Sequence, residues 1–347
     1  MREQVLVEAA ELAADLQVTA GTHADPRTGT PVLLDVRWAL GMTDGAERYR
    51  AGHLPGAVYV DLETELAAPA SPAAGRHPLP SAAAFQDSAR RWGVGRDSRV
   101  VVYDGVGGTS AARAWWLLRY FGLDDVRILD GGLDAWTAGG RALEVGTVTA
   151  EPGDFVARPG GMPVLDADDA AALADGEGVL LDARAGERYR GEVEPVDPQA
   201  GHIPGALSAP TTGNLDLDGR FLDEARLRER FAELGIVPPD AGHAAGPGEG
   251  DAAGAREESA GEEPDGEESP GEELVGEELA GVGVGVYCGS GVTASHQIAA
   301  LAAAGVPAAL YPGSWSQWSN DPTREVATLS GGRSAVDEVG SPRDRQH

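Results

Sequence analysis

The chain repeats itself. Leu33-Leu34-Asp35-Val36-Arg37 returns as Leu180-Leu181-Asp182-Ala183-Arg184, and Glu47-Arg48-Tyr49-Arg50 returns as Glu187-Arg188-Tyr189-Arg190. Ala51-Gly52-His53-Leu54-Pro55-Gly56-Ala57 reappears as Ala200-Gly201-His202-Ile203-Pro204-Gly205-Ala206, and Val101-Val102-Tyr103-Asp104-Gly105 as Gly285-Val286-Tyr287-Cys288-Gly289. Leu129–Trp136 is echoed by Leu310–Trp318, with one residue more in the second copy. Two copies of one motif order must each close a similar core, so the repeat limits the architecture more than composition does. The offset is 149 at the two histidines but 184 at the Asp104 and Cys288 loops, which places an insertion in the second copy.

Each copy alternates short β-branched runs with helical segments. The first predicts strands near Val32–Asp35, Val58–Val60, Arg99–Tyr103 and Val126–Leu129, with helices near Ser81–Trp92 and Ser110–Phe121 capped by the two serines. The second predicts strands near Val179–Asp182, Val282–Tyr287 and Ala308–Tyr311, with helices near Asp223–Leu234 and Ser295–Ala304. Strand-helix alternation implies an α/β fold, each copy a mainly parallel sheet with helices on both faces. The predicted layout is a first domain over 1–146, a Pro/Gly-rich linker over 147–162, a second domain over 163–327 and a disordered tail over 328–347.

The insertion is acidic. Between Asp240 and Ala280 stand fourteen Asp or Glu against one basic residue, Arg256, including four tandem Gly-Glu-Glu units from Gly261. Such a segment has little apolar area to set against chain entropy and is expected to be disordered. The whole chain carries a net charge of −29, which argues against nucleic acid or an anionic membrane surface as partner. No apolar run approaches the length of a membrane span, and Glu3, Glu8, Glu11 and Asp15 interrupt the N-terminus against a secretory signal. A single cysteine excludes an intrachain disulfide and a Cys-rich zinc site. A lone thiol is best kept reduced, so the cytoplasm is the expected compartment.

That cysteine, Cys288, opens the run Cys288-Gly289-Ser290-Gly291-Val292-Thr293-Ala294, between an apolar strand and a small-residue helix. A strand, tight loop and helix N-terminus surround a side chain with backbone N–H groups and favour an anion there. The thiolate is the reactive form of cysteine, so this setting predicts a nucleophile rather than a core thiol. The equivalent loop of the first copy carries Asp104. An aspartate there has no thiolate to offer, so the first copy is expected to be catalytically idle.

The run from Cys288 to Ala294 resembles the active-site loop of the rhodanese superfamily, specifically the two-domain sulfurtransferases that take sulfur from 3-mercaptopyruvate or thiosulfate. The resemblance implies two tandem rhodanese-like domains and a Cys288 persulfide cradled by Gly289, Gly291, Val292 and Thr293. It implies a small anionic sulfur donor, a thiol or cyanide acceptor such as a thioredoxin-like protein, and no metal or organic cofactor. Arg188, in Glu187-Arg188-Tyr189, matches the family's donor-anchoring arginine; the bland reading is a surface arginine paired with Glu187 or Glu192. Ser290, His53 and Asp44 match a serine-histidine-aspartate relay, although His202 repeats His53 and a turn-stabilising histidine explains both. Arg37 and Arg184 occur in both copies, which favours structural ion pairs for them.

Gly289-Ser290 matches the mercaptopyruvate subtype, but a second arginine typical of that subtype is missing from Glu194–Gln199. A sulfur-carrier or interaction module is the non-enzyme alternative. A cysteine-dependent phosphatase is disfavoured, because the loop ends in Ala294 and no arginine follows until Arg324.

Overall fold

The computed structural model describes residues 1–19, 29–176, 178–237 and 283–329. The acidic insertion and residues 330–347 of the tail lie outside the described residues, and the reading of both as disordered rests on sequence alone.

Two parallel sheets follow the two copies. The first is built from β1 (Leu6–Val7), β2 (Val32–Asp35), β3 (Val58–Tyr59), β4 (Val100–Tyr103) and β5 (Val126–Leu129), in the order β1-β5-β4-β2-β3. The second contains β6 (Val179–Asp182), β7 (Leu207–Ser208), β8 (Val284–Tyr287) and β9 (Ala309–Leu310), in the order β7-β6-β8-β9. The repeat extends to register: Asp35 pairs with Tyr103 and Asp182 with Tyr287. β1 was not expected, and its counterpart in the second sheet is a single parallel bridge, Val164 with Leu310. Val5-Leu6-Val7 is apolar, and it extends the first sheet by pairing with β5.

Strand alternation sends side chains to two sides of each sheet. Leu34, Val102 and Ile128 join Leu181, Val286 and Leu310 in one core shared by both halves, whereas Leu33, Val101 and Leu129 face a separate cluster, as do Leu180, Tyr287 and Ala309. The shared core is closed by the helices Ala111–Tyr120 and Val292–Ala303, which pack on each other. The first carries Trp115 and Trp116, both buried, and is apolar around most of its circumference. A helix of that kind must be buried on every side. Since these are the helices that follow the Asp104 and Cys288 loops, the fold sets the two loops on either side of the joint between the halves.

Ser81 caps its helix as expected, its Oγ accepting from Ala84 N at 3.2 Å. Ser110 does not. The Asp104 carboxylate takes the N–H groups of Ser110 and Ala111, and the Ser110 hydroxyl donates to Val36 O and Asp104. A carboxylate already seated at the helix start is the stronger acceptor.

Candidate active site

Cys288 follows the last residue of β8, and the helix Val292–Ala303 begins four residues later. So short a loop needs a left-handed residue. Gly291 supplies it at φ 79°, where an added Cβ would stand 2.7 Å from Pro312 O. Two N–H groups then point at the sulfur: Gly291 N lies 3.1 Å and Ser290 N 3.5 Å from Sγ. Below the loop, Cys288 N donates to Ser314 Oγ at 3.2 Å, and Cys288 O accepts from Trp315 N at 2.9 Å. Ser314 is the one non-glycine residue with positive φ among the described residues, at 52°.

Cys288 is buried but borders a cavity of about 350 Å³. Residues from both halves line it, among them Trp38, Arg76, Arg184, Arg188, Ser290 and Thr293. A larger cavity of about 620 Å³ lies around Asp168, Trp318 and Arg324 and brings no cysteine or histidine to its wall.

Arg188 faces the cavity but is not paired with Glu187 or Glu192. Its guanidinium bonds Glu194 at 2.6 Å and Asp197 at 3.2 Å, while Glu192 takes Arg190. Asp197 also pairs with Arg76 of the first half. Arg76 Nη2 and Arg188 Nη1 converge on the loop, 2.9 and 3.4 Å from where a Cβ on Gly289 would sit. Gly289 therefore keeps open the space between two guanidiniums and the nucleophile. Arg37 and Arg184 pair with Asp35 and Asp182, each at 2.6 Å, as the repeat suggested, and Arg184 also reaches Glu194.

The geometry around Ser290 departs from expectation. His53 is buried away from it, with Nδ1–H donating to Tyr49 O at 2.9 Å and its ring stacked on Tyr49. His202 does the same with Tyr189. Asp44 pairs with Arg48 on an exposed helix start. Ser290 Oγ instead meets His77 Nδ1 at 2.7 Å, and His77 Nε2 meets Glu63 Oε2 at 3.2 Å. An ionised Glu63 can only accept, so Nε2 carries the proton and Nδ1 accepts from the serine hydroxyl. Burial pushes the His77 imidazole below its ordinary value, which favours that neutral form. Trp38 fixes the other Glu63 oxygen through Nε1 at 2.7 Å.

Arg113, fully buried on the first half's helix, ties these parts together. It donates to His77 O at 2.9 Å, to Leu66 O at 3.3 Å and to Gly291 O at 3.4 Å. Burial pushes its guanidinium down to about 10, so it remains a cation at neutral pH. The first half thus contributes three side chains, Arg76, His77 and Arg113, at or behind the cavity. Sequence reading passed over all three. The available signal was that Arg76-His77 lies in a stretch, 60–81, longer than its counterpart 209–223 and without a match there.

Comparison with known proteins agrees with this geometry. Residues 19–139 match the model of the rhodanese-like domain family. The chain is 43% identical over 331 residues to SseB of Mycobacterium tuberculosis, named for thiosulfate sulfurtransferase activity, covering 94% of this chain and 97% of that one. It is 44% identical over 302 residues to a Pseudomonas aeruginosa protein named for 3-mercaptopyruvate sulfurtransferase activity, covering 86% and 92%. The crystal structure of SseA from Escherichia coli, a 3-mercaptopyruvate sulfotransferase of rhodanese fold, superposes with a TM-score of 0.66 at 31% identity over 89% of this chain and 98% of that one. The chain belongs to the rhodanese superfamily, as a two-domain sulfurtransferase of the thiosulfate and 3-mercaptopyruvate type.

Proposed function

We propose that the chain transfers sulfane sulfur by a two-step route through a persulfide on Cys288, with the half over 163–327 carrying the nucleophile and the half over 1–146 completing the donor site. The observation that carries this reading is the Cys288 sulfur itself. It sits in a cavity wall, receives two backbone N–H groups, and has Arg188 on one side and the Ser290–His77–Glu63 chain on the other.

With 3-mercaptopyruvate, the Cys288 thiolate attacks the donor sulfur. An S–S bond forms as the C–S bond breaks, and the electron pair leaves on the enolate of pyruvate. The new persulfide S–H must lose a proton and the enolate carbon must gain one. Ser290 backed by neutral His77 is placed to carry that proton. With thiosulfate, sulfite leaves with the electron pair and no proton is needed. Arg188 anchors the donor's anionic group. In the second step a thiolate or cyanide attacks the outer sulfur and releases Cys288; a thioredoxin-like protein is the thiol acceptor we favour.

Relatives at 43% and 44% identity carry names for different donors, so sequence likeness leaves the donor to experiment. The test is mass spectrometry after donor treatment. Wild type should gain one sulfur on Cys288, and Cys288→Ser none, because a serine hydroxyl is too weak a nucleophile at neutral pH. A sulfur retained on the folded Cys288→Ser protein would remove Cys288 from the reaction.

A further inference from the structure

The arginines beside Cys288 carry acids behind them, and the two acids are held differently. Glu194 is locked into its own turn: its oxygens accept from Val196 N, Asp197 N, Arg184 and both Nε and Nη2 of Arg188. Among the described residues the Asp197 carboxylate bonds only guanidiniums, with Oδ1 on Arg76 Nη1 and Oδ2 on Arg188 Nη2. It therefore bridges the two halves of the chain. Each arginine gives one terminal nitrogen to Asp197 and turns the other toward Gly289, where Arg76 Nη2 and Arg188 Nη1 make no hydrogen bond among the described residues. Arg76 Nε is buried with no acceptor.

The charges of this cluster balance. Arg76 and Arg188 face Asp197 and Glu194, and nearby Arg184 faces Asp182. Within this cluster no positive charge is in excess; the remaining cation, Arg113, bonds only backbone carbonyls behind the loop among the described residues. What remains is shape: two nitrogens aimed at one point from two rigid mounts, a geometry suited to the planar fork of a carboxylate. The Asp197 side chain is only 3% exposed, so its charge is poorly screened, and burial raises its carboxyl from the ordinary value while the neighbouring guanidiniums oppose that shift. A dianion entering the cavity meets that charge with twice the repulsion felt by a monoanion.

We infer that Asp197 determines donor specificity: by bridging Arg76 and Arg188 it aligns their free nitrogens into a carboxylate clamp shared by the two halves, and its charge weighs against doubly charged donors. The inference rests on the proposed transfer reaction, and it makes 3-mercaptopyruvate, with one carboxylate, the favoured donor over thiosulfate.

The test compares kcat/KM for 3-mercaptopyruvate and thiosulfate at one ionic strength in wild type, Asp197→Asn and Arg76→Lys. Asp197→Asn keeps the shape and removes the charge. It should raise thiosulfate efficiency about tenfold while changing mercaptopyruvate by less than about threefold. Arg76→Lys keeps the charge and removes the fork, so it should lower mercaptopyruvate efficiency about tenfold and spare thiosulfate. The second variant decides the matter if the first does not fold. A donor ratio within twofold of wild type in whichever variants fold overturns the inference. Wild type that loads no sulfur from either donor defeats the transfer reaction itself, which is a separate result.

Discussion

Asp104 and Cys288 stand at the same point of the repeat, each just past a central strand, and the chain treats them in opposite ways. The Asp104 carboxylate accepts five hydrogen bonds, from the N–H groups of Val106, Gly108, Ser110 and Ala111 and from the Ser110 hydroxyl, all between 2.8 and 3.0 Å. The Cys288 sulfur receives two N–H groups, both longer. The loops differ in length as well, since the helix starts seven residues after Asp104 but only four after Cys288. Both loops are built to hold an anion. In the first the anion is permanent and saturated, and the loop acts as a pillar. In the second the sulfur is held loosely, with a cavity at its side where a donor can approach. On the proposed reaction, one scaffold serves stability in one copy and chemistry in the other, according to how many donors the anion keeps for itself.

The largest effect that could break this comparison lies in the first half, which would be a bystander if Cys288 worked alone. His77→Ala should lower kcat with 3-mercaptopyruvate by about 10²–10⁴, the usual worth of a positioned proton carrier. With thiosulfate the loss should stay under about tenfold, because sulfite departs without a proton. The pH profile follows from the depressed His77. The neutral ring is the working form and burial lowers its pKa, so mercaptopyruvate turnover should hold through the ordinary histidine range and fall only at more acid pH. Equal losses with both donors would make His77 a structural residue. His53→Ala serves as the control and should leave kcat in place.

Next in size is the pillar. Asp104→Ala strands the backbone N–H groups of Gly108, Ser110 and Ala111 in a buried site and that of Val106 at its edge, while the Ser110 hydroxyl keeps Val36 O. It should cost about 3 kcal/mol or more in denaturant unfolding, since each orphaned buried donor carries a desolvation penalty of about 1–3 kcal/mol that water entry offsets only in part. Cys288→Ala removes a weak acceptor and should cost about 1 kcal/mol. Similar costs for the two would erase the distinction between a saturated and a poised loop.

How much was legible in the sequence follows from the same contrast. The repeat made both sheets visible, and with them the strand-loop-helix setting of Cys288, because each of these depends on local pattern. The Asp35–Arg37 and Asp182–Arg184 pairs were legible because they occur twice. His53 illustrates the limit. The family match put it in the relay while its repetition as His202 left a scaffold role equally open, and both rings lie on the tyrosines Tyr49 and Tyr189 of their own copies. His77 reaches Ser290 across 213 residues, from a stretch the second copy lacks. No periodicity or spacing reports a contact of that kind, since the joint between the halves creates it. Arg76 and Arg113 escaped for the same reason. In this chain most repeated residues build the frame, Arg188 with its twin Arg48 being the exception at the cavity, and Arg76, His77, Cys288 and Ser290 have no twin.

Ser314 offers the finest test. Its counterpart in the repeat is Gly132, and both sit at nearly the same left-handed angle, 52° and 53°. At Gly132 a side chain is excluded, because a Cβ would stand 2.3 Å from Asp104 O. At Ser314 the strained side chain is kept, and its Oγ accepts from Cys288 N and donates to Tyr311 O. The left-handed angle costs a non-glycine residue about 1 kcal/mol, close to what a buried hydrogen bond returns. Ser314→Gly removes both and should leave the thermal midpoint within about 2–4 °C of wild type. Ser314→Ala keeps the strain and loses the bond, so it should melt lower than Ser314→Gly, by about 1 kcal/mol. Both should slow sulfur transfer a few-fold, because the Cys288 N–H then has no fixed partner and the loop loses its footing. A Ser314→Gly protein as active as wild type would mean that the hydroxyl beneath the nucleophile is only a filler of space.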